Sequence, residues 1–189
     1  MATSGETAAA IAAATARDRA LIAARGGGSM NQPEDQLGAL LDLVQALDVA
    51  GIPYALIGGI AVGIHSGSPR ATADVDIAAP STVGRDLIAD ALAAADFEER
   101  GRFAHSLNFR HTNGEPVQIA IDPAFDPMIE RAEVVTVAST SIRIVGKEDL
   151  LVMKQRAAED PARRPSKALR DRADVELLRG DVPEPDEGW

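Results

Sequence analysis

Apolar side chains recur along this 189-residue chain at two spacings, which predict alternating helices and strands. Leucines and a valine recur every three or four residues between Pro33 and Ala50, as in an amphipathic helix that ends before Gly51. Short apolar or alternating runs predict strands over residues 54–57, 72–78, 97–103, 107–111, 117–121, 134–137 and 142–145. Further helices are predicted over residues 60–65, 81–94, 128–131, 147–159 and 166–179, with Ser81 capping the second of these. This order predicts an α/β (α+β) fold, with a mixed β-sheet flanked by helices and followed by C-terminal helices.

The two ends of the chain differ in composition from its middle. Residues 1–25 are alanine-rich and are followed by Gly26-Gly27-Gly28-Ser29, which has the composition of a flexible tether. Because Met30 comes directly afterwards, we interpret residues 1–29 as a fused peptide and linker ahead of a native start, with a natural disordered leader as the alternative. The acidic segment 181–189 is predicted to be a disordered tail. The predicted folded domain is therefore 30–180.

Composition and charge exclude several kinds of site. The chain contains no cysteine, which excludes disulfides, thiolate metal sites and a cysteine nucleophile. No apolar run approaches the roughly 20 residues that span a bilayer, and no signal peptide is evident, so we expect a cytoplasmic protein without a membrane partner. A net charge of −10 disfavours general nucleic-acid binding, so such a partner needs a local basic patch. One basic cluster is present and consists of Arg156, Arg163, Arg164, Arg170 and Arg172.

A pair of acidic residues lies within the predicted strand 72–78. In a strand, alternate side chains share a face, so Thr72, Asp74 and Asp76 are expected to point away from the core. Two carboxylates at this spacing can converge on one or two divalent ions such as Mg²⁺ or Mn²⁺. Taken alone, the same pattern favours a polar strand edge facing solvent.

A Gly58-Gly59 turn joins a predicted strand to a predicted helix. Free backbone N–H groups and the helix dipole favour phosphate at such a place, although a tight turn that needs positive φ is the alternative. Arg70 lies just before the acidic strand, where it can bind a phosphate or form a structural ion pair. We expect both His65 and His111 at the surface, with His65 the one that faces a phosphate if either does.

The order of these features resembles the nucleotidyltransferase superfamily with the polymerase-β-like fold. The matching residues are Leu56-Ile57-Gly58-Gly59 and then Arg70-Ala71-Thr72-Ala73-Asp74-Val75-Asp76-Ile77. The resemblance implies that Gly58 and Gly59 hold a nucleoside triphosphate and that Asp74 and Asp76 bind Mg²⁺ or Mn²⁺. Ile60 departs from the pattern, because many relatives have Ser or Thr after the glycines.

The C-terminal part is similar to the AbiEii-type nucleotidyltransferases, which occur as toxins of bacterial type IV toxin–antitoxin systems. The residues that carry this likeness are Glu148 to Lys154, then Arg164, Lys167 and Asp171. It implies that Asp149, Lys154 and Asp171 belong to the active region, with Lys154 neutralising the triphosphate. Asp171 would then orient that lysine or act as a base. The alternative is a pair of exposed, salt-bridged helices.

One expected carboxylate is missing from the pattern. The superfamily has a third acid on a later strand, and Gln118 stands at the corresponding place in this chain. Asp122, at the end of the same strand, is the candidate that supplies the third metal ligand and catalytic carboxylate.

The resulting hypothesis is a metal-dependent enzyme that transfers a nucleoside monophosphate from a nucleoside triphosphate to an acceptor hydroxyl. As a toxin, it would use tRNA as acceptor and an antitoxin protein as partner, for which residues 1–25 are a candidate tethered peptide. The alternatives are a protein-adenylylating enzyme and a catalytically silenced protein that binds a nucleotide or a partner.

Overall fold

A computed structural model describes residues 33–181, with side chains from residue 36 onward. The predictions for residues 1–29 and for the tail beyond 181 lie outside the described residues. Among the helices within 33–181, none has the length and apolar character that crossing a bilayer requires. In chain order the elements are α1 (Pro33–Val49), β1 (Ala55–Leu56), α2 (Gly58–Ser66), β2 (Val75–Ala78), α3 (Arg85–Ala93), β3 (Phe97–Phe103), β4 (Ser106–His111), β5 (Pro116–Ala120), a 3-10 turn (Pro123–Phe125), α4 (Asp126–Glu130), β6 (Glu133–Val137), β7 (Thr140–Ile144), α5 (Lys147–Glu159) and α6 (Pro165–Arg179).

The strands form one mixed sheet in the order β3-β4-β5-β2-β1-β7-β6, which confirms the predicted fold class. β2 runs parallel to β5 and antiparallel to β1, while β1 and β7 are parallel. The register places Asp76 of β2 opposite Gln118 of β5, and Gln118 opposite Asn108 of β4. These three side chains therefore lie side by side on one face of the sheet.

The other face of the sheet forms the core. Val75, Ile77 and Ile119 are fully buried there, since they alternate with the polar residues of β2 and β5. α1 packs against α3 and β2, and so closes this side of the sheet. α6 packs against α5 and α2, which places the C-terminal helices beside the glycine turn. One face is thus a hydrophobic interior, and the polar face remains for a site.

The strand that carries the acidic pair is shorter than the sequence predicts. β2 begins at Val75, so Thr72 and Asp74 lie in the segment that leads into it, and only Asp76 lies in the strand. The predicted cap at Ser81 is also wrong, because α3 begins at Arg85 after Gly84. Ser81 instead donates its N–H and hydroxyl to the Asp126 carboxylate, at 2.8 and 2.6 Å.

His111 is buried, with 9% of its surface exposed, which makes its predicted surface position wrong. Alternation along β4 places it on the core face together with Leu107 and Phe109. Its ring packs on Phe97 with centroids 4.7 Å apart, and its Nε2 lies 3.2 Å from Asp42. The last residue of β4 therefore contributes to the interior rather than to the surface.

Candidate active site

A cleft of about 540 Å³ lies between the polar face of the sheet and the C-terminal helices. It is lined by residues from each motif that the sequence singled out, namely Gly59, Asp74, Asp76, Lys154 and Asp171. Asp76 comes from β2 and Asp74 from the bend before it, while α5 and α6 supply basic groups. The fold therefore brings residues far apart in the sequence to one concave surface, as ligand sites require.

The glycine turn packs directly against the acidic strand. Gly58 has φ +71°, and a Cβ built on it would lie 2.7 Å from the Cβ of Asp76 and closer still to its carboxylate. A Cβ on Gly59 would lie 2.7 Å from Thr72. Gly58 is therefore required by its positive φ and by the close approach of Asp76, and Gly59 by the close approach of Thr72. Ile60, where relatives have a hydroxyl, is buried in the core, so backbone N–H groups at the start of α2 are the donors that this turn can offer a phosphate.

Asp74 and Asp76 lie close enough to repel each other. Burial, followed by the negative charge of Asp74, raises the pKa of Asp76 to about 7, although Lys154, Lys167 and Arg70 act in the opposite direction. Two adjacent carboxylates are costly when both are ionised, and a divalent cation removes that cost.

The acidic pair fits a hard cation, whose preferred ligands are oxygens. Within residues 33–181, no group of three or more acidic or histidine side chains is placed to hold a metal ion. The cation ligands available here are therefore the two carboxylates and neutral oxygens. The side chain directly opposite Asp76 on β5 is Gln118, which also lines the cleft.

Asp122 is not brought to this pair. β5 ends at Ala120, and Asp122 caps the following 3-10 turn by accepting a hydrogen bond from the N–H of Ala124 at 2.9 Å. Its other oxygen lies 3.3 Å from Nδ1 of His105. The alternation that would have placed Asp122 beside Gln118 stops where the strand ends, and Asp122 is not among the residues that line the cleft.

Two buried carboxylates of α6 hold three cations at the edge of the cleft. Lys154 Nζ lies 3.0 Å from Asp171 and 2.7 Å from Asp174, and Arg70 Nε lies 2.7 Å from Asp174. Arg163 binds the second oxygen of Asp171 at 2.8 Å. Both carboxylates are 1–2% exposed. Arg70 thus forms an ion pair and also lines the cleft, and Asp171 is placed to orient Lys154.

Asp174 was missed by the sequence analysis. Asp171 and Asp174 are three residues apart on α6, so they lie on one face of that helix. An acidic pair at this spacing beside a predicted active-site lysine is the signal that identifies it.

Lys167 and Arg170 line the same cleft and are exposed, and neither forms an ion pair within residues 33–181. The other arginines of the basic cluster are absent from the lining, apart from Arg163. Asp149 is also outside it, since its carboxylate binds Arg131 at 2.5 Å. His65 contacts the carbonyl of Val145 at 2.7 Å rather than the cleft.

Comparison with known proteins supports the fold. Neither a protein-family model nor a curated protein sequence matches the chain. An antigenic nucleotidyltransferase-like protein from Paracoccidioides brasiliensis is 26% identical, with a TM-score of 0.54 over 81% of this chain and 80% of that one. ANT(2'')-Ia in complex with adenylyl-2''-tobramycin is 16% identical, with a TM-score of 0.57 over 79% of this chain and 90% of that one. The lincosamide antibiotic adenylyltransferase LnuA is 16% identical, with a TM-score of 0.55 over 79% of this chain and 98% of that one. The chain therefore has the nucleotidyltransferase fold, and these likenesses support the prediction of a nucleotidyltransferase.

Proposed function

We propose that the protein is a metal-dependent nucleotidyltransferase that moves a nucleoside monophosphate from a nucleoside triphosphate to an acceptor hydroxyl. The observation that carries this proposal is the contact between the Gly58 turn and the carboxylate of Asp76. A phosphate-binding helix start and a cation-binding acid pair are thereby joined at one end of the cleft.

Each group in the cleft has a role in this reaction. A bound Mg²⁺ or Mn²⁺ would polarise the phosphoryl oxygens, and Asp74 and Asp76 would hold it. The N–H groups at the start of α2 bind phosphate, and Lys154 offsets the charge of the leaving pyrophosphate. The acceptor oxygen bonds to the α-phosphorus as the bond to the bridging oxygen breaks and pyrophosphate leaves. The hydroxyl proton is released to water, while Asp171, whose two oxygens accept from Lys154 and Arg163, orients Lys154.

The charge of the cleft favours tRNA as the acceptor. Lys167 and Arg170 line the cleft and form no ion pair within residues 33–181. Such free cations suit the phosphate backbone of a nucleic acid. The solved structures with this fold include complexes with adenylyl-2''-tobramycin and with lincomycin. A polycationic aminoglycoside would be repelled by free lysine and arginine side chains, so we favour a polyanionic acceptor here.

The toxin role follows from the AbiEii-like residues of the C-terminal helices. We infer that the enzyme acts as the toxin of a bacterial toxin–antitoxin pair and is restrained by an antitoxin protein. The network around Lys154 and Asp171 supports this inference, because two of the three residues that the resemblance assigns to the active region meet at 3.0 Å beside the cleft.

A silenced nucleotide-binding protein is the second candidate. It is favoured by Gln118, which occupies the position where a third carboxylate is expected and leaves two acids beside the glycine turn.

Incubation with each α-labelled nucleoside triphosphate, Mg²⁺ or Mn²⁺ and total RNA tests these functions. We expect label in the tRNA fraction, and none with Asp74→Ala. Asp90→Asn, which changes an exposed acid on α3, is the matched control and should transfer normally. Label in protein would identify a protein hydroxyl, and not tRNA, as the acceptor. Nucleotide binding without any transfer would establish the silenced alternative.

A further inference from the structure

A row of uncharged side chains continues from the acid pair across the sheet. Asp76 lies opposite Gln118, and Gln118 lies opposite Asn108, all on the polar face. Directly opposed side chains on neighbouring strands have Cβ atoms about 4.5–5.5 Å apart, within reach of an amide-to-amide hydrogen bond. Gln118 is therefore placed between the cation ligand Asp76 and the carboxamide of Asn108.

The side-chain oxygen of Asn108 is buried and has no hydrogen-bond partner within residues 33–181. On β3 the opposed residue is Gly101, which has no side-chain donor. On β5 the neighbours of Gln118 on the same face are Pro116 and Ala120, which also have none. A buried acceptor without a donor is costly, so a donor beside it is strongly favoured. The carboxamide of Gln118 is the directly opposed group that can supply one.

We propose that, when a cation binds to Asp74 and Asp76, Gln118 donates its amide N–H to Asn108 and directs its side-chain carbonyl oxygen at that cation. The nitrogen and oxygen of a primary amide diverge by about 120° from one carbon, so fixing the donor toward β4 turns the acceptor away from it, toward β2. Amide oxygens are accepted ligands of hard divalent cations. Gln118 thus replaces the missing third carboxylate with a neutral ligand, and Asn108 is the positioning residue behind it. This inference rests on the proposed function, because it takes Asp74 and Asp76 to be cation ligands.

A neutral third ligand has a consequence for the site. Asp74 and Asp76 bring two negative charges, whereas a third carboxylate would bring three and attract cations more strongly. Asp122, two residues beyond the end of β5, lies against His105 and caps the 3-10 turn, so it adds no charge to the acid pair. The site is accordingly suited to one divalent ion of moderate affinity.

Equilibrium titration with Mn²⁺, with free Mn²⁺ measured by electron paramagnetic resonance, tests the proposal without relying on activity. We expect Gln118→Ala and Asn108→Ala each to weaken Mn²⁺ binding about 10-fold or more, as is typical when a ligand or its supporting group is removed. The double variant should bind no worse than Gln118→Ala alone, because Asn108 acts only through Gln118. Should Asn108→Ala fold poorly, Asn108→Leu removes the acceptor with little change of volume and should give the same result.

The outcomes separate this inference from the proposed function. If Asp76→Asn loses Mn²⁺ while the Gln118 and Asn108 variants bind as the parent does, the inference is overturned and the acid pair stands. If the losses at Gln118 and Asn108 add in the double variant, Asn108 does not act through Gln118 and the proposed hydrogen bond is refuted. If the parent protein binds no Mn²⁺, the metal-dependent function and this inference fail together.

Discussion

Asp76 is predicted to destabilise the metal-free protein at neutral and alkaline pH. Its carboxyl is buried beside Asp74, and burial is the larger of the two causes that raise its pKa to about 7 from an ordinary value of 3.8. The folded protein therefore favours the protonated acid, while the unfolded chain ionises freely. Replacing Asp76 by Asn removes the ionisable group and keeps nearly the same shape.

The size of the effect follows from the two pKa values. Each pKa unit corresponds to about 1.4 kcal/mol, so the interval from 3.8 to about 7 corresponds to about 4 kcal/mol. Because the folded pKa is the higher one, stability contributed by this group is present below pH 3.8 and is lost as pH rises to about 7. About 3 kcal/mol of the loss falls between pH 5 and pH 8.

Urea unfolding of metal-free protein at pH 5 and pH 8 measures this directly. We expect the advantage of Asp76→Asn over the parent to grow by about 3 kcal/mol between the two pH values. Asp90→Asn serves as the control for loss of one negative charge. Saturating Mn²⁺ should stabilise the parent by about 2.7 kcal/mol at 100 times Kd and leave Asp76→Asn unchanged. An advantage that is the same at pH 5 and pH 8 would refute the account of Asp76.

Three further outcomes follow from the site. Gly58→Ala should cost about 2 kcal/mol or more in urea unfolding, whereas Gly51→Ala, also at positive φ but with nothing within 4 Å, should cost only about 1; equal losses would exclude the contact with the acid. Asp174→Asn should lower stability by about 3 kcal/mol and raise KM for the nucleotide, because it leaves its two cations with fewer partners; an unchanged KM would separate the network from nucleotide binding. Lys167→Ala and Arg170→Ala should each reduce the slope of log K for tRNA binding against log salt concentration by about one, without altering nucleotide affinity. An unchanged slope would show that these two residues do not contact the RNA.

The sequence predicted the fold class and the main elements because hydrophobic spacing dominates both. β3 and α5 have the predicted bounds, and β4, β5 and α6 begin one residue earlier than expected. The motif residues Gly59, Asp74 and Lys154 share a cleft, as the resemblance implies. Local pattern and motif order were sufficient for these parts.

The remaining parts of the site depend on tertiary contacts that no local pattern encodes. Alternation predicted that Asp122 shares a face with Gln118, but β5 ends two residues earlier and a 3-10 turn takes the carboxylate. Which residue lies beside Asp76 is set by the parallel register of β2 and β5. The ion pair of Asp174 with Arg70 joins residues 104 positions apart, so it forms only in the folded chain.

The ion-pair network explains why the C-terminal helices lie beside the candidate active site. Asp171 and Asp174 are almost fully buried, and a buried carboxylate is tolerable only with a cation close by. Their partners come from three segments, with Arg70 before β2, Lys154 on α5 and Arg163 between the helices. Three cations against two carboxylates leave one positive charge that the network does not neutralise. The same contacts therefore dock α6 beside the glycine turn and keep basic groups facing the cleft, so the position of this helix and the positive charge of the cleft depend on one set of ion pairs.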